Sequence, residues 1–357
     1  MKILLVTLIT LASSFAFAWG GRGHHTVCSV ASFLVKEQGL KDYLQHKPQM
    51  MGHLCNMPDF YWKSLGGEAN QLGNPTHFID IEVIDLEVKD IPTDYNKLIK
   101  KYTGTEDKFK NDGTTIKSIP QEFGSSWWRA DQFMKKMAAL KKDFKKAKVP
   151  SNFKEEQDNE LPYNKLAYDF VISMGLMGHF VGDNAQPFHT TADYDGYAKG
   201  HGGIHAYYED AVVGQFDGDL EYLVLEKARA LKDPSFLKPK TTIDKMKALS
   251  VISNNEIKAI YEVDPIKKPS VLKKERGMQL KTAAEREHAS VAFPKMKPMI
   301  VEQMARGALL LANLWDEAYA SAGKPKLGAY KSYKYPFTVD FVVPDYFDVS
   351  KEIKEKK

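Results

Sequence analysis

The sequence predicts an all-α fold: one large, mostly helical domain, although 357 residues would also allow two. Three observations predict it. Apolar residues recur at helical spacing in four stretches. Strand-like composition is confined to one C-terminal segment. No internal repeat or low-complexity linker divides the chain. The composition agrees, since 43% hydrophobic and 27% charged residues are ordinary for a globular protein and exclude a disordered or fibrous chain.

Residues 1–18, MKILLVTLITLASSFAFA, read as a signal peptide: Lys2, an apolar run over 3–11, and the small-x-small site Ala16-Phe17-Ala18. The run is short for a membrane anchor, the other reading of such a segment. Cleavage would start the chain at Trp19 and place it in a secreted or periplasmic compartment. A helix is predicted over 24–35 through Val27, Val30, Ala31 and Leu34. The charged stretches 36–47 and 148–160 are expected as solvated loops or helix faces. Helices follow over 128–147 (Phe133, Met137, Leu140, Phe144) and 164–183 (Leu166, Phe170, Met174, Met177, Val181). A last one spans 300–322 (Met304, Leu311, Trp315), stopped by Gly323. Residues 330–347, rich in aromatics, Val and Pro, read as an extended arm or a strand pair. The helical domain is therefore set at 19–325 and a C-terminal arm at 326–357.

Fifty Lys and Arg against 46 Asp and Glu give +4, which excludes a nucleic-acid binder working by bulk charge. Two cysteines exclude a disulfide-dense scaffold and a Cys-rich zinc site, so any metal must be held by His and carboxylates. Outside the cytoplasm Cys28 and Cys55 either pair or stay as two buried thiols.

The histidines carry the chemistry. His179 and Asp183 lie four apart on the strongest predicted helix, which puts imidazole and carboxylate on one face. His189 follows after Gln186-Pro187, where the helix should break. His205 and Glu209 repeat the four-residue spacing in GGIHAYYED. Two His-x-x-x-carboxylate pairs with a His between them supply N and O ligands of the kind zinc takes, whereas one such pair alone is more often a cap or a satisfied core histidine. At the new N-terminus, WGGRGHHTVCSVA places His24 five residues after Trp19. A free α-amine can lose its proton and bind metal, and Gly20, Gly21 and Gly23 would let the backbone fold back toward His24.

These motifs resemble a known family. WGGRGHHTVCSVA is similar to the start (W-G-x-x-G-H) of the secreted zinc nucleases of fungi and plants, the S-one and P-one type single-strand-specific nucleases. Their superfamily includes the bacterial zinc phospholipases C. The block from His179 to His189 resembles H-F-x-G-D-x-x-Q-P-x-H in order and spacing, and Asn74-Pro-Thr-His77-Phe-Ile-Asp80 resembles the family's His-aromatic-x-Asp segment. Gly124 to Arg129 (GSSWWR) faintly resembles Gly-x-x-Pro-Trp-Arg. The likeness runs from Trp19 to Asp210; beyond that only a generic final helix matches.

The resemblance implies an all-helical fold with three zinc ions at the bottom of a cleft. One ion would take Asp59, His77, His179 and a shared Asp183; a second the Trp19 amine and carbonyl, His24 and Asp183; a third His189, His205 and Glu209. Asp59 would orient the nucleophile as well as bind metal. Lys63 or Arg22 would stabilise charge on the phosphate. The rings of Trp62, Phe78 and Tyr208, with Tyr61 and Tyr207, are candidates to stack a base, while core packing is the ordinary fate of such rings. The implied activity is hydrolysis of phosphodiesters in single-stranded DNA and RNA by a monomer without an obligate protein partner. The alternative is a phospholipase C acting on phospholipid headgroups; a zinc-binding protein without a substrate cleft is a third reading. Three departures favour the phospholipase: Glu209 where the nucleases have Asp, the 16-residue step from His189 to His205, and Trp62 where they have Lys or Arg, with Lys63 one residue on. The N-terminal block, which phospholipases C lack, favours the nuclease.

Overall fold

The computed structural model describes residues 19–275, 278–331 and 338–353; the expected signal peptide lies outside them. The structure is 64% helical and 5% strand, so the chain is predominantly α.

Helix α1 (Gly20–Ala31) is followed by α2 (Gln38–Leu44) and α3 (Pro48–Cys55). Helix α2 falls in a stretch expected to be solvated. Its charged residues hide a short apolar stripe of Leu40, Tyr43 and Leu44, all buried. A π-turn, Pro58–Trp62, and a run of small helical segments lead to α4 (Ser126–Ala139) and α5 (Lys141–Lys146), which divide the single helix expected there at Leu140.

Helix α6 (Pro162–Ala185) is the axis. Pro162 opens it, and from Phe170 to Ala185 every residue is buried. A helix apolar on all sides must be enclosed by others, and α1, α3, α4 and the two long helices that follow pack around it. Complete burial of Phe170, Met174 and Phe180 contributes about 1.5–3 kcal/mol for each side chain. Gly178 lets the layer below approach: a Cβ there would lie 2.2 Å from Cys28 Sγ. That sulfur belongs to a disulfide with Cys55, which settles the cysteine pairing and ties α1 to α3 across α6.

Helix α7 (Leu220–Ala230) precedes α8 (Thr242–Val263), which the apolar pattern did not reveal. Its stripe of Ile243, Met246, Leu249 and Ile260 is diluted by polar residues that are themselves buried. Ser250 and Ser253 hydrogen-bond Asn184 of α6. Two antiparallel ribbons follow: β1 (Ile266–Lys268) with β4 (Glu285–Arg286), and β2 (Val271–Glu275) with β3 (Met278–Thr282). Helix α9 (Ala289–Ser321) completes the bundle, and Trp315 donates to the Met174 carbonyl of α6 at 3.0 Å. The C-terminal segment is an extended arm, with no strand pairing over 338–347 among the described residues. Among the described residues no helix is long and apolar enough to cross a membrane.

Candidate metal centre

The last two turns of α6 carry His179 and Asp183, both fully buried. His179 faces α1 at Gly182's level: a Cβ on Gly182 would lie 2.8 Å from His24 Nδ1, so glycine is what admits the His24 ring. That ring stacks on His179 with centroids 4.0 Å apart. Asp183 is the hub. Its carboxylate oxygens lie 3.3 Å from His24 Nε2, 3.7 Å from His77 Nδ1, 3.4 Å from His179 Nε2 and 3.7 Å from His189 Nδ1. Asp59, from the π-turn, faces the same space, with Oδ1 3.7 Å from both His77 Nε2 and His179 Nε2.

The second group sits one turn further along the chain. Gln186-Pro187 ends α6 as expected, and the short helical turn Pro187–Thr190 carries His189. Its Nε2 lies 3.1 Å from His205 Nε2, and His205 Nε2 lies 3.0 Å from Glu209 Oε2. Glu209 belongs to a π-turn, Tyr207–Val212, so both carboxylates outside α6 are presented by widened helical turns, a device common at functional sites.

The orientation of the rings is fixed from behind. His179 Nδ1 donates to the Cys55 carbonyl at 2.8 Å and His189 Nδ1 to the His77 carbonyl at 2.7 Å. Each bond leaves an Nε2 lone pair aimed into the site, as metal-binding imidazoles require. Burial holds His77, His179 and His189 well below the usual imidazole range, so they are neutral. Burial also raises Asp183 well above the carboxylate range, reinforced by the nearby negative charge of Asp59. For His205 burial acts downward, but Glu209 outweighs it and the net shift is up. Both Asp183 oxygens, His77 Nδ1, His179 Nε2 and Glu209 Oε1 are buried without a hydrogen-bond partner among the described residues. Buried polar atoms are rarely left so, and cations bound in the two groups would satisfy them. Three sets could each hold a metal ion, with ligand atoms within 4.8 Å: His24, Asp59 and His179; His77, His179 and Asp183; His189, His205 and Glu209. Every side chain expected to bind metal lies in this nest.

Trp19 reaches it too. The residue is buried, its indole donates to the Gly182 carbonyl at 2.8 Å, and its backbone nitrogen lies 2.9 Å from Glu209 Oε2. That nitrogen would be an amine only in a chain that begins at Trp19. Lys63 Nζ lies 2.5 Å from Asp59 Oδ1. The π-turn takes more residues per turn than an α-helix, so the one-residue offset of this lysine still brings it over Asp59. Arg22 hydrogen-bonds the carbonyls of Val213 and Phe216 instead of facing the site. His201 is engaged with Asp264 at 2.7 Å.

A cavity of about 500 Å³ opens on the site, lined by Lys63, His77, Phe78, Asp80, His189, Tyr194 and His205, with Asn70, Asn74 and Gln121 at its wall. Phe78 is placed as expected for a ring that meets substrate. Trp62 and Tyr208 are not. Trp62 is 2% exposed, its indole donates to the Val339 carbonyl and its face meets the edge of Phe341. Tyr208 is fully buried between Trp19 and Phe188. Both rings sit in π-turns, whose wider pitch puts a residue three after a ligand on the core side instead of beside it. Tyr194, half exposed with its ring 5.9 Å from that of His205, is the aromatic that sequence reasoning missed. Its only signal is its place five residues after His189.

Neither known protein families nor curated proteins give a match to this chain. Its function is therefore argued from the site.

Proposed function

We propose that the chain is a zinc-dependent phosphodiesterase, an extracytoplasmic nuclease that cleaves single-stranded DNA and RNA. The disulfide fits an oxidising compartment. The His and carboxylate donor set, neutral rings and unpartnered buried oxygens fit zinc. In this reading Asp59, His77, His179 and Asp183 hold one ion; the Trp19 amine, His24 and Asp183 a second; and His189, His205 and Glu209 a third. Bound zinc would supply hydroxide near neutral pH and offset the charge of the phosphate.

The protein's own groups do the rest. Asp59 holds a proton acceptor toward the centre and fixes Lys63 at the cavity wall, where its ammonium meets the charge that grows on phosphate oxygens. The observation that carries the choice of substrate is the cavity lining. Phe78 and Tyr194 offer ring faces, and Asn70, Asn74, Gln121 and Asp80 offer donors and acceptors together. An unstacked base needs both a flat face and a mixed hydrogen-bonding edge, whereas a choline headgroup presents no such edge.

The test incubates zinc-loaded protein with denatured DNA and, separately, with phosphatidylcholine vesicles. Release of short oligonucleotides is expected, with duplex DNA cut far more slowly. Hydrolysis of the lipid alone would replace this reading with the phospholipase. Inactivity on both with zinc still bound would leave a zinc-binding protein.

A further inference from the structure

We propose that Arg129 is a positioning residue for His77, and that the C-terminal arm holds it there. The inference rests on the reading of His77 as a metal ligand.

Arg129, on α4, is fully buried, and the one carboxylate whose charge reaches it among the described residues, Asp345, makes no direct ion pair with it. A guanidinium that no carboxylate touches needs another reason to be in a core. Four rings surround it. Its central carbon lies 5.4 Å from the Trp62 ring, 5.1 Å from Phe133, 5.4 Å from Phe180 and 5.9 Å from Phe341. Its hydrogen bonds run to Gln132 Oε1 at 2.6 Å and to the Val342 carbonyl.

One of those rings leads to the site. Phe180 is stacked between Phe133, with centroids 5.9 Å apart and planes 10° apart, and His77, with centroids 5.5 Å apart and planes 19° apart. A cation beside Phe133 and Phe180 fixes the stack against which His77 lies flat. The other edge of His77 meets the His179 ring. The imidazole has no hydrogen bond from Nδ1 of the kind that orients His179 and His189, so ring packing must orient it instead.

The arm closes the cage from outside. Val342 takes a bond from Arg129, Val343 one from Gln132 at 2.8 Å, and Val339 one from the Trp62 indole at 2.7 Å. Phe341 packs its edge on Trp62 and also abuts Gly73, just before the turn Asn74–Thr76 that leads into His77. The arm therefore reaches His77 by two routes, through the ring stack and through the loop.

The experiment titrates purified, metal-stripped protein with Co²⁺ and follows the visible absorption of each bound ion. Arg129→Met removes the charge at similar volume, and Phe341→Ala removes the arm's ring from the cage while leaving the guanidinium's charge and the other three rings. Circular dichroism confirms the fold of each variant. Both are expected to weaken the ion held by His77 by about tenfold or more, leaving the ion of His189, His205 and Glu209 unchanged. Arg129→Lys should recover part of the loss, because the cation stays over the rings. Combined with His77→Ala, Arg129→Met should add nothing. Co²⁺ binding like wild type, equal weakening of every ion, or additive losses in the double variant would overturn the proposal. Wild-type protein that takes up no Co²⁺ would overturn the metal reading itself, and this proposal with it.

Discussion

The two ligand groups are built differently. In the inner group His24, His179 and Asp183 stand on α1 and α6, two core helices that pack directly together, while Asp59 and His77 join them from a π-turn and the end of a short helical turn. The outer group, His189, His205 and Glu209, stands on a short helical turn and a π-turn at the cavity wall. Long buried helices fix ligand positions by packing, so the inner group suits an ion pair whose spacing must not vary. Short turns carry fewer contacts, so ligands on them would hold an ion less rigidly. Gln186 couples the two, since it ends α6 and donates to Glu209 Oε2 at 2.9 Å.

The largest effect should come from the one residue that faces both groups. Asp183→Asn keeps the shape and removes the charge shared by His24, His77, His179 and His189. Activity on denatured DNA should fall on the order of 10³-fold, with metal content reduced in both groups. Retention of the outer ion at wild-type level by this variant would break the comparison, because the groups would then be independent.

His205→Ala should separate them. The expected result is loss of one ion, retention of the inner ones, and a fall in activity of about 10²-fold. Elemental analysis of the purified variant reads this directly. If the inner ions leave as well, the outer group is structural support for the inner one.

How far the sequence revealed each group follows from the same contrast. His179 and Asp183 could be read because a long apolar helix fixes spacing in space, and His205 with Glu209 because four residues is one turn. Asp59 and His77 come from distant segments that only packing brings to α6, so motif likeness alone suggested them. The rings of Trp62 and Tyr208 were misplaced because proximity along the chain says nothing about side-chain direction within a turn. Three of the four helices with apolar stripes were legible, and the one expected over 128–147 is divided in two at Leu140. Helix α8 was not, because Ser250 and Ser253 are buried by hydrogen bonding to Asn184 rather than by apolarity. The ribbons of 266–286 escaped because their lysines break any alternation.

Acidification should empty the groups in order. His77, His179 and His189 are already neutral through burial, so protons compete little with metal at those rings. At His205 burial acts downward but Glu209 outweighs it and raises the ring, so protons compete with metal there more than at the neutral rings. Burial raises Asp183 well above the carboxylate range too, but the inner ions keep the neutral rings of His77 and His179. Dialysis in steps from pH 7.5 to about 5.5 should therefore release the outer ion first. Release of an inner ion before it would reverse the comparison.

The smallest effect concerns the cavity rather than the ions. Tyr194→Leu and Phe78→Leu each remove a flat face from the lining while leaving every ligand in place. Stacking of a base on an aromatic ring is worth about 1–3 kcal/mol, so KM for denatured DNA should rise about tenfold in each variant with kcat nearly unchanged. Tyr194 adjoins His205 and Phe78 adjoins His77, so the two rings sample the two groups. If Tyr194→Leu changes kcat while Phe78→Leu changes only KM, the outer group is the more responsive to what occupies the cavity, as its construction on short turns predicts. Equal effects on both constants would mean that the turns at Pro187–Thr190 and Tyr207–Val212 are held as firmly as the helices behind them.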